Sequence, residues 1–276
     1  MTHDGRRQAI LAIDTATTRV VIATGTPGGV ADGVSTWTAG YRHGETLLPS
    51  IGRFLGEQDI RRSRLVGIVV GTGPGAFTGM RVGIATAKGL AHGLGIPLVG
   101  VSTAEALIEA FAAAEGVEAA GVGAAAGVGA AAGAVGARPA TVLLLPAGPS
   151  DRLVVRAGTR PVPLPAGEDP VLEAGEQLVA VDLDGRAPED ALARGETALA
   201  GLGQELLRAG AAKLAAIAAA AADTPGATAT AAGATATAVS ATTPTSELET
   251  LVPDYVTLPR GVRATGGAVE WSRDPR

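Results

Sequence analysis

Residues 71–83 read Gly71-Thr-Gly-Pro-Gly-Ala-Phe-Thr-Gly-Met-Arg-Val-Gly83 and hold five glycines and one proline in thirteen positions. An apolar run at residues 65–70 comes before this stretch, and good helix formers follow it at residues 84–94. Because glycine adopts positive φ and lets the backbone lie close to another surface, the pattern predicts a strand, a tight turn and a helix. A helix start offers unpaired N–H groups and a positive dipole end, so the turn is a candidate phosphate loop.

The rest of the first 110 residues alternates strand and helix patterns. Strand-like runs lie at residues 9–14, 19–24 and 30–36. A helix follows whose apolar residues fall on one face: Leu47, Leu48, Ile51, Phe54 and Leu55. Beyond the glycine stretch, a strand at 97–101 leads to a helix from about Ser102. This order predicts a mixed five-stranded sheet with helices on its faces, the ribonuclease-H-like plan of each lobe in the actin, hexokinase and Hsp70 (ASKHA) nucleotide-binding folds.

The second half of the chain predicts a smaller, degenerate lobe between segments of low complexity. The predicted units are an N-terminal lobe 1–110, an Ala/Gly-rich flexible insertion 111–140, a C-terminal lobe 141–222, a Thr/Ala-rich linker 223–247 and a tail 248–276. Glycine costs a helix about 1 kcal/mol, and the insertion has almost no large side chains to offset that cost. The second lobe is expected to contain strands at 141–145, 152–157 and 177–182 and a helix at 196–222. The tail contains apolar residues through which we expect it to pack on the rest of the protein, namely Leu251, Tyr255, Val256 and Leu258.

Composition and charge exclude several classes of protein. The net charge of −5 does not attract nucleic acid, which is itself negatively charged. Cysteine is absent, which excludes disulfides, thiolate metal sites and a cysteine nucleophile. The N-terminus shows no signal-peptide pattern, and the Ala/Gly tracts are too weakly hydrophobic to span a bilayer. We therefore expect a soluble cytoplasmic protein.

Common catalytic motifs are missing from the sequence. No Gly-Lys-Ser/Thr follows the glycine stretch, and Thr78 stands where a dinucleotide fingerprint would place its third glycine. No Gly-x-Ser-x-Gly elbow is present, which argues against an esterase or peptidase. The three histidines never stand three or four residues apart, so no metal site is predicted. The cluster Arg61-Arg62-Ser-Arg64 leaves a direct tRNA binder as an alternative, although a solvated loop is the simpler reading.

Asp14 ends the first strand, where this fold directs an acid at the phosphates and magnesium of a nucleotide. A kinase of this class also needs a second aspartate and a glycine-rich adenosine clamp, and neither Asp182 nor Asp184 has such neighbours. We therefore predict a structural turn capped by Asp14 and Thr15. The alternative is a small-molecule kinase or ATPase that combines Asp14 with a vestigial phosphate loop formed by Thr15, Gly73, Gly75, Thr78 and Gly79.

Small residues recur every four positions along the second helix, at Gly79, Gly83, Ala87 and Ala91. Another helix can approach such a ridge closely. Alternatively, the ridge faces the protein's own sheet and leaves the opposite side open to a partner, with Met80, Ile84 and Lys88. In both readings the first two helices form an assembly surface.

Four motifs resemble the TsaB family of bacterial proteins, which act in threonylcarbamoyladenosine synthesis on tRNA. In the family's order and spacing they are Leu11-Ala-Ile-Asp-Thr-Ala-Thr17, His43-Gly-Glu-Thr-Leu-Leu-Pro49, Gly73-Pro-Gly-Ala-Phe-Thr-Gly-Met-Arg-Val-Gly83 and Gly100-Val-Ser-Thr-Ala-Glu-Ala-Leu107. The resemblance implies a non-catalytic subunit with the actin-like fold. Such a subunit pairs with the metal-binding transferase TsaD, which modifies the adenosine beside the anticodon, and the ATPase TsaE joins the pair.

The resemblance places the pairing surface on the first two helices, at residues 45–57 and 79–94. It implies an interface formed by His43, Glu45, Leu47, Leu48, Ile51, Phe54, Leu55, Met80, Arg81, Ile84, Ala87 and Lys88. We expect no cofactor held tightly by the chain alone and contact with tRNA only through the complex. ATP or ADP at the complex interface and a homodimer of the isolated chain are left open. The chain departs from the family pattern at residues 144–153 and 253–260.

Overall fold

The computed structural model describes residues 7–38, 43–123, 140–147, 150–222, 251–253, 262–265 and 268–271. The N-terminal half contains strands β1 (Ala9–Asp14), β2 (Arg19–Gly25), β3 (Ala31–Thr38), β4 (Leu65–Gly71) and β5 (Leu98–Val101), and helices α1 (His43–Glu57), α2 (Phe77–Leu94) and α3 (Thr103–Gly123). The strands form one sheet in the order β3-β2-β1-β4-β5. Because β1 pairs antiparallel with β2 and parallel with β4, the predicted mixed five-stranded sheet is confirmed.

The C-terminal half contains strands β6 (Ala140–Pro146), β7 (Arg152–Arg156), β8 (Val162–Leu164) and β9 (Glu176–Ala180), followed by the long helix α4 (Glu189–Ala222). These strands form a second sheet in the order β8-β7-β6-β9. A hairpin of β10 (Val262–Thr265) and β11 (Ala268–Trp271) comes later in the sequence. The two mixed sheets with their helices confirm the predicted two-lobe α/β fold.

Strand β1 lies at the centre of the first sheet and is buried on both faces. Successive side chains of a strand point to opposite faces, so Leu11 and Ile13 lie on one face and Ile10 and Ala12 on the other. Helices α1 and α2 cover the face of Leu11, and α4 covers the face of Ile10. The sheet therefore positions the turn after β1 between two layers of helices.

Helices α3 and α4 pack against each other between the two sheets. Their buried side chains form one continuous hydrophobic cluster with inward-facing residues of both sheets. The cluster includes Leu107 of α3, Leu206 of α4, Val69 of the first sheet and Leu143 of the second. The two lobes thus share a core.

The start of α4 also covers the outer edge of β9. A guanidinium Nη1 of Arg194 donates a hydrogen bond of 2.5 Å to the carbonyl of Leu178. A Cβ on Gly195 would lie only 1.8 Å from the carbonyl oxygen of Ala180, so the helix backbone touches the strand. This cover protects an edge strand from pairing with another chain.

Several boundaries differ from the prediction. Helix α3 continues to Gly123, so residues 111–123 are helical and not part of a flexible insertion. Alanine, the best helix former, is frequent there and outweighs the glycines. Helix α4 begins before residue 196, with Glu189 and Asp190 in its first turn, where negative charge favours a helix start. Strand β8 and the C-terminal hairpin are missing from the prediction because such short strands carry little periodicity.

Other predicted segments fall partly outside the described residues. The described residues do not include the predicted linker at 223–247 or the tail residues Tyr255, Val256 and Leu258. Leu251 is described, and it packs on the first lobe beside Gly100.

Among the residues that the structure describes, no helix combines the length and the apolar character needed to cross a membrane.

Candidate functional site

The turn between β1 and β2 holds Asp14 in a fully buried position. Its Oδ2 accepts a hydrogen bond of 2.6 Å from the hydroxyl of Thr103, and its Oδ1 accepts one of 2.9 Å from the backbone N–H of Ala16. The residue has 0% exposed surface. Asp14 therefore caps its own turn and ties that turn to the start of α3.

Burial raises the pKa of the Asp14 carboxyl from 3.8 to about 6, because surroundings of low polarity disfavour its charged form. The hydrogen bonds from Thr103 and Ala16 oppose this rise, and the negative charge of Asp182 adds to it. Asp14 is therefore an internal group that titrates near pH 6 and not an acid facing solvent.

The glycine stretch packs directly on the β1–β2 turn. A Cβ added to Gly75 would lie 2.1 Å from the carbonyl oxygen of Ala16, and one added to Gly79 would lie 2.1 Å from that of Thr15. A Cβ on Gly83 would lie 2.2 Å from the Thr15 hydroxyl oxygen. Side chains at these positions would displace the turn, so the backbone contact itself explains the glycines.

Hydrogen bonds complete the contact of the glycine loop with its neighbours. The backbone N–H of Ala76 donates to the carbonyl of Ala16 at 2.6 Å. The N–H of Thr103 donates to the carbonyl of Gly73 at 2.8 Å, and the N–H of Gly73 donates to the Thr103 hydroxyl at 3.1 Å. The loop N–H groups of Gly73 and Ala76, which a phosphate loop would offer to its ligand, are thus used within the chain.

The structure brings together five of the six residues predicted for a vestigial phosphate loop: Asp14, Thr15, Gly73, Gly75 and Gly79. The sixth, Thr78, lies exposed in the first turn of α2. Phosphate binding at this place stays a prediction.

The expectation of an open apolar face on α1 and α2 is wrong for most of its side chains. Seven predicted interface residues are at most 5% exposed: Leu47, Ile51, Phe54, Leu55, Met80, Ile84 and Ala87. The apolar stripe of each helix covers the protein's own sheet, and the small-residue ridge of α2 is buried with it. Periodicity marks such a stripe but does not say which surface covers it.

The surface that α1 and α2 do present is mostly polar. Leu48 is 54% exposed, Glu45 and Arg81 are exposed, and Lys88 is partly exposed. The Arg81 guanidinium lies 4.0 Å from the centroid of the ring of Phe77. Helix α1 begins at His43, whose side chain is outside the described part of the structure.

Four glycines of these two helices have no atom within 4 Å of the place where a Cβ would lie: Gly44, Gly56, Gly89 and Gly93. Glycine costs a helix about 1 kcal/mol relative to alanine. Among the described residues nothing packs closely enough to require glycine at these positions. Because these four positions carry no side chain, the backbone of another protein has room to approach the surface of α1 and α2 there.

Sequence reasoning misses the roles of Thr103 and of Asp182. Asp182 is a candidate for the second aspartate of a kinase, but its carboxylate accepts hydrogen bonds from Thr18, and Asp184 is exposed. Thr18 and Asp182 are 164 positions apart, so no local pattern indicates their contact. Within the described ranges no group of three or more His, Cys, Asp or Glu side chains is arranged to hold a metal ion.

Comparisons with known proteins match about a third of the chain. A family model described as TsaD, tRNA N6-adenosine threonylcarbamoyltransferase, matches residues 26–126. An uncharacterized protein of Mycobacterium leprae is 42% identical over 106 residues, which cover 36% of this chain and 28% of that protein. The tRNA threonylcarbamoyladenosine biosynthesis protein TsaB of Escherichia coli is 37% identical over 94 residues, which cover 34% of this chain and 40% of TsaB. The chain spans less than half the length of these relatives.

A solved structure extends the likeness to both lobes. A protein described as similar to the peptidase YeaZ from Pseudomonas aeruginosa superposes with a TM-score of 0.52 and 20% identity, covering 91% of this chain and all of that one. At this identity the likeness concerns the fold alone. It agrees with the two-lobe arrangement of sheets.

Proposed function

This chain belongs to the TsaB (YeaZ) family, and we propose that it is a non-catalytic scaffold and activator in the threonylcarbamoyladenosine modification of tRNA. In this proposal it forms a heterodimer with a TsaD-type transferase and helps to recruit the TsaE ATPase. The tRNA contacts the complex and not this chain alone. No nucleotide is held tightly by the isolated chain, and ATP or ADP binds, if at all, at the interface between subunits.

The observation that carries the proposal is the burial of Asp14. An acid that directs magnesium and phosphate has to reach its ligand, and Asp14 has 0% exposed surface with both carboxylate oxygens hydrogen-bonded. The glycine loop that would cradle a phosphate packs on the β1–β2 turn instead. The residues that an actin-like kinase uses for chemistry thus serve the stability of this chain.

The outer surface of α1 and α2 is the proposed docking surface for the transferase. Leu48 is the large apolar side chain exposed there, at 54%. The open positions of Gly44, Gly56, Gly89 and Gly93 allow a partner helix to come close to the backbone. Association through this surface stabilises the transferase in its competent arrangement by mass action.

Replacement of Leu48 by aspartate tests the docking surface. A charge buried at the centre of an interface weakens binding by about 30-fold or more, so the variant should lose co-elution with the transferase from the same organism. The control is Val162→Asp, which changes a side chain of similar exposure, 59%, on the second lobe. Equal binding by wild type and L48D would contradict the proposed surface. Ile51, also a candidate for this test on sequence grounds, is unsuitable because it is 2% exposed and its replacement would unfold the lobe.

A reconstituted reaction tests the function itself. We expect a mixture of transferase, ATPase, tRNA, ATP and the donor threonylcarbamoyl adenylate to form threonylcarbamoyladenosine only when this chain is added, and L48D to lose this activation. The alternative reading, a small-molecule kinase or ATPase, predicts metal-dependent ATP binding by the isolated chain. Calorimetry with ATP and magnesium separates the two, since tight binding would support the enzyme.

A further inference from the structure

Strand β5 forms one edge of the first sheet, where β4 is its neighbour. The carbonyl of Val101 accepts a hydrogen bond of 2.8 Å from the N–H of Thr72, so the backbone groups of Val101 face β4. Because consecutive residues of a strand direct their N–H and C=O groups to opposite edges, those of Leu98 and Gly100 face away from β4. The outer edge of β5 therefore offers hydrogen bonds to another extended segment.

One of these outward groups has a partner in α4. The ammonium group of Lys213 donates a hydrogen bond of 2.7 Å to the carbonyl of Gly100. Within the described ranges, the N–H groups of Leu98 and Gly100 have no hydrogen-bond partner. Leu98 is only 3% exposed although it lies at an edge, and a buried N–H without a partner is unfavourable. This favours a further segment along the edge.

A groove of about 420 Å³ lies along the outer edge of β5, between that strand and the C-terminal part of α4. We call it the edge groove. Its lining from the two elements consists of Leu98, Val99, Gly100, Lys213, Ala216 and Ile217. The groove is thus mainly apolar and carries one positive charge, which suits an extended segment with apolar side chains and an acidic residue.

The edge groove is also lined by Leu251, which comes from the C-terminal tail. A Cβ at Gly100 would overlap the side chain of Leu251, so the glycine makes room for the leucine. Leu251 is partly buried against the apolar cluster beneath α1 and α2, whereas the next residue, Val252, is 64% exposed. Leu251 therefore anchors the tail at the edge of the first sheet.

The residues that follow this anchor match the groove in length and in character. Extended at about 3.3 Å per residue, residues 251–258 span about 23 Å, which exceeds the length of the four-residue strand β5. They bring one acidic and three further apolar side chains, namely Asp254, Tyr255, Val256 and Leu258. The acidic residue complements the positive charge of Lys213.

We propose that the edge groove is the docking site of the chain's own C-terminal segment, residues 251–258, which pairs with the outward backbone groups of Leu98 and Gly100. Because Leu251 already lies at the groove in the same chain, the rest of the segment binds at a high effective concentration. The docked segment covers an edge strand and so prevents β5 from pairing with another chain. The proposal concerns a contact within this chain and does not depend on the proposed function.

Removal of the anchor tests the docking. In Leu251→Asp the charge disfavours the apolar contact at Gly100, so the amide hydrogens of Leu98 and Gly100 should exchange on the order of tenfold faster, as followed by NMR. The amide of Val99, which faces β4, should keep its exchange rate. The matched control is Val252→Asp, the same substitution at the adjacent exposed position, and it should leave all three rates unchanged. Unchanged rates in L251D, or equal effects of L251D and V252D, would overturn the proposal.

A spin label tests where the residues after the anchor bind. The chain has no cysteine, so Thr257→Cys carries a single nitroxide label. The label should broaden the NMR signals of Gly100 and Ile217, and Leu251→Asp in the same chain should abolish the broadening. Unbroadened signals of both residues in labelled T257C would contradict the docking of residues 251–258.

A mixed sample distinguishes the chain's own segment from that of a second copy. Spin-labelled T257C without isotope label is combined with isotope-labelled wild-type chain, and we expect no broadening of Gly100 and Ile217 in the latter. Broadening there would show exchange of tails between copies and would overturn the proposal. If L251D does not fold, Leu251→Ala takes its place with Val252→Ala as its control. Leu98 and Gly100 should again exchange faster in L251A, and equal rates in the two variants would contradict the docking.

Discussion

The carboxylate of Asp14 accepts a 2.6 Å hydrogen bond from the hydroxyl of Thr103, 89 positions further along the chain. Neither residue has exposed surface. The contact joins the end of β1 to the first residue of α3, and Thr103 also bonds to Gly73 of the glycine loop. Three segments that sequence patterns describe separately thus meet around one buried acid.

Replacement of Asp14 by asparagine should change how stability depends on pH. The folded-state pKa is raised from 3.8 to about 6, so the contribution of Asp14 to stability is present below pH 3.8 and is lost as the pH rises through 6. The stability of D14N relative to the wild type should therefore increase by about 3 kcal/mol across this window. Urea unfolding between pH 4 and pH 8 measures the difference. Asp184→Asn, at an exposed position, serves as the control. If the free energy of unfolding changed with pH in the same way in D14N and the wild type, the raised pKa of Asp14 would be refuted.

The glycines of the loop should be required for folding itself. Gly79→Ala places a Cβ 2.1 Å from the carbonyl oxygen of Thr15, and we expect a loss of about 2–4 kcal/mol in the free energy of unfolding. Gly89→Ala, in the same helix, meets no atom within 4 Å. It should gain up to about 1 kcal/mol, because alanine is the better helix former. Thermal or urea unfolding compares the two variants, and equal stability of both would show that the loop does not depend on this contact.

Thr24 carries a buried hydroxyl that should weaken the fold. The residue is 0% exposed, and its Oγ1 has no hydrogen-bond partner among the described residues. Thr24→Val replaces the hydroxyl by a methyl group of similar size and should raise the free energy of unfolding by about 1 kcal/mol. Thr36→Val on the exposed side of β3 is the control, with an expected change within about 0.5 kcal/mol. A loss of stability in Thr24→Val would indicate that the hydroxyl has a partner in solution.

The pair of Arg156 and Glu176 should make the second lobe sensitive to acid. Glu176 accepts hydrogen bonds of 2.7 and 3.0 Å from the Arg156 guanidinium, which with the N–H of Glu173 lowers its pKa from 4.5 to about 2. The stability that this pair contributes is present above pH 4.5 and is lost as the pH falls through about 2. In Glu176→Gln this part of the acid dependence should disappear, and in Asp169→Asn, at an exposed position, it should remain. Circular dichroism during acid titration detects the change.

The positions of most strands and helices follow from the sequence because their signals are local. Strands β1, β2, β4 and β5 coincide with apolar runs bounded by turn residues, and the order of strands and helices predicts a mixed sheet. The end of α3 and the start of α4 differ from prediction because alanine-rich stretches carry helix propensity without an apolar stripe that marks a boundary.

The amino-acid sequence alone determined the strand and helix order, the glycine loop, the absence of common catalytic motifs and the resemblance to one family. Tertiary structure alone decided that the apolar stripes of α1 and α2 face the protein's own sheet, that Gly75 and Gly79 make room for backbone, and that Thr18 meets Asp182. The physical reason is the range of the interactions. Periodicity and propensity act over a few residues, whereas burial and the pairing of buried polar groups depend on segments that only folding brings together.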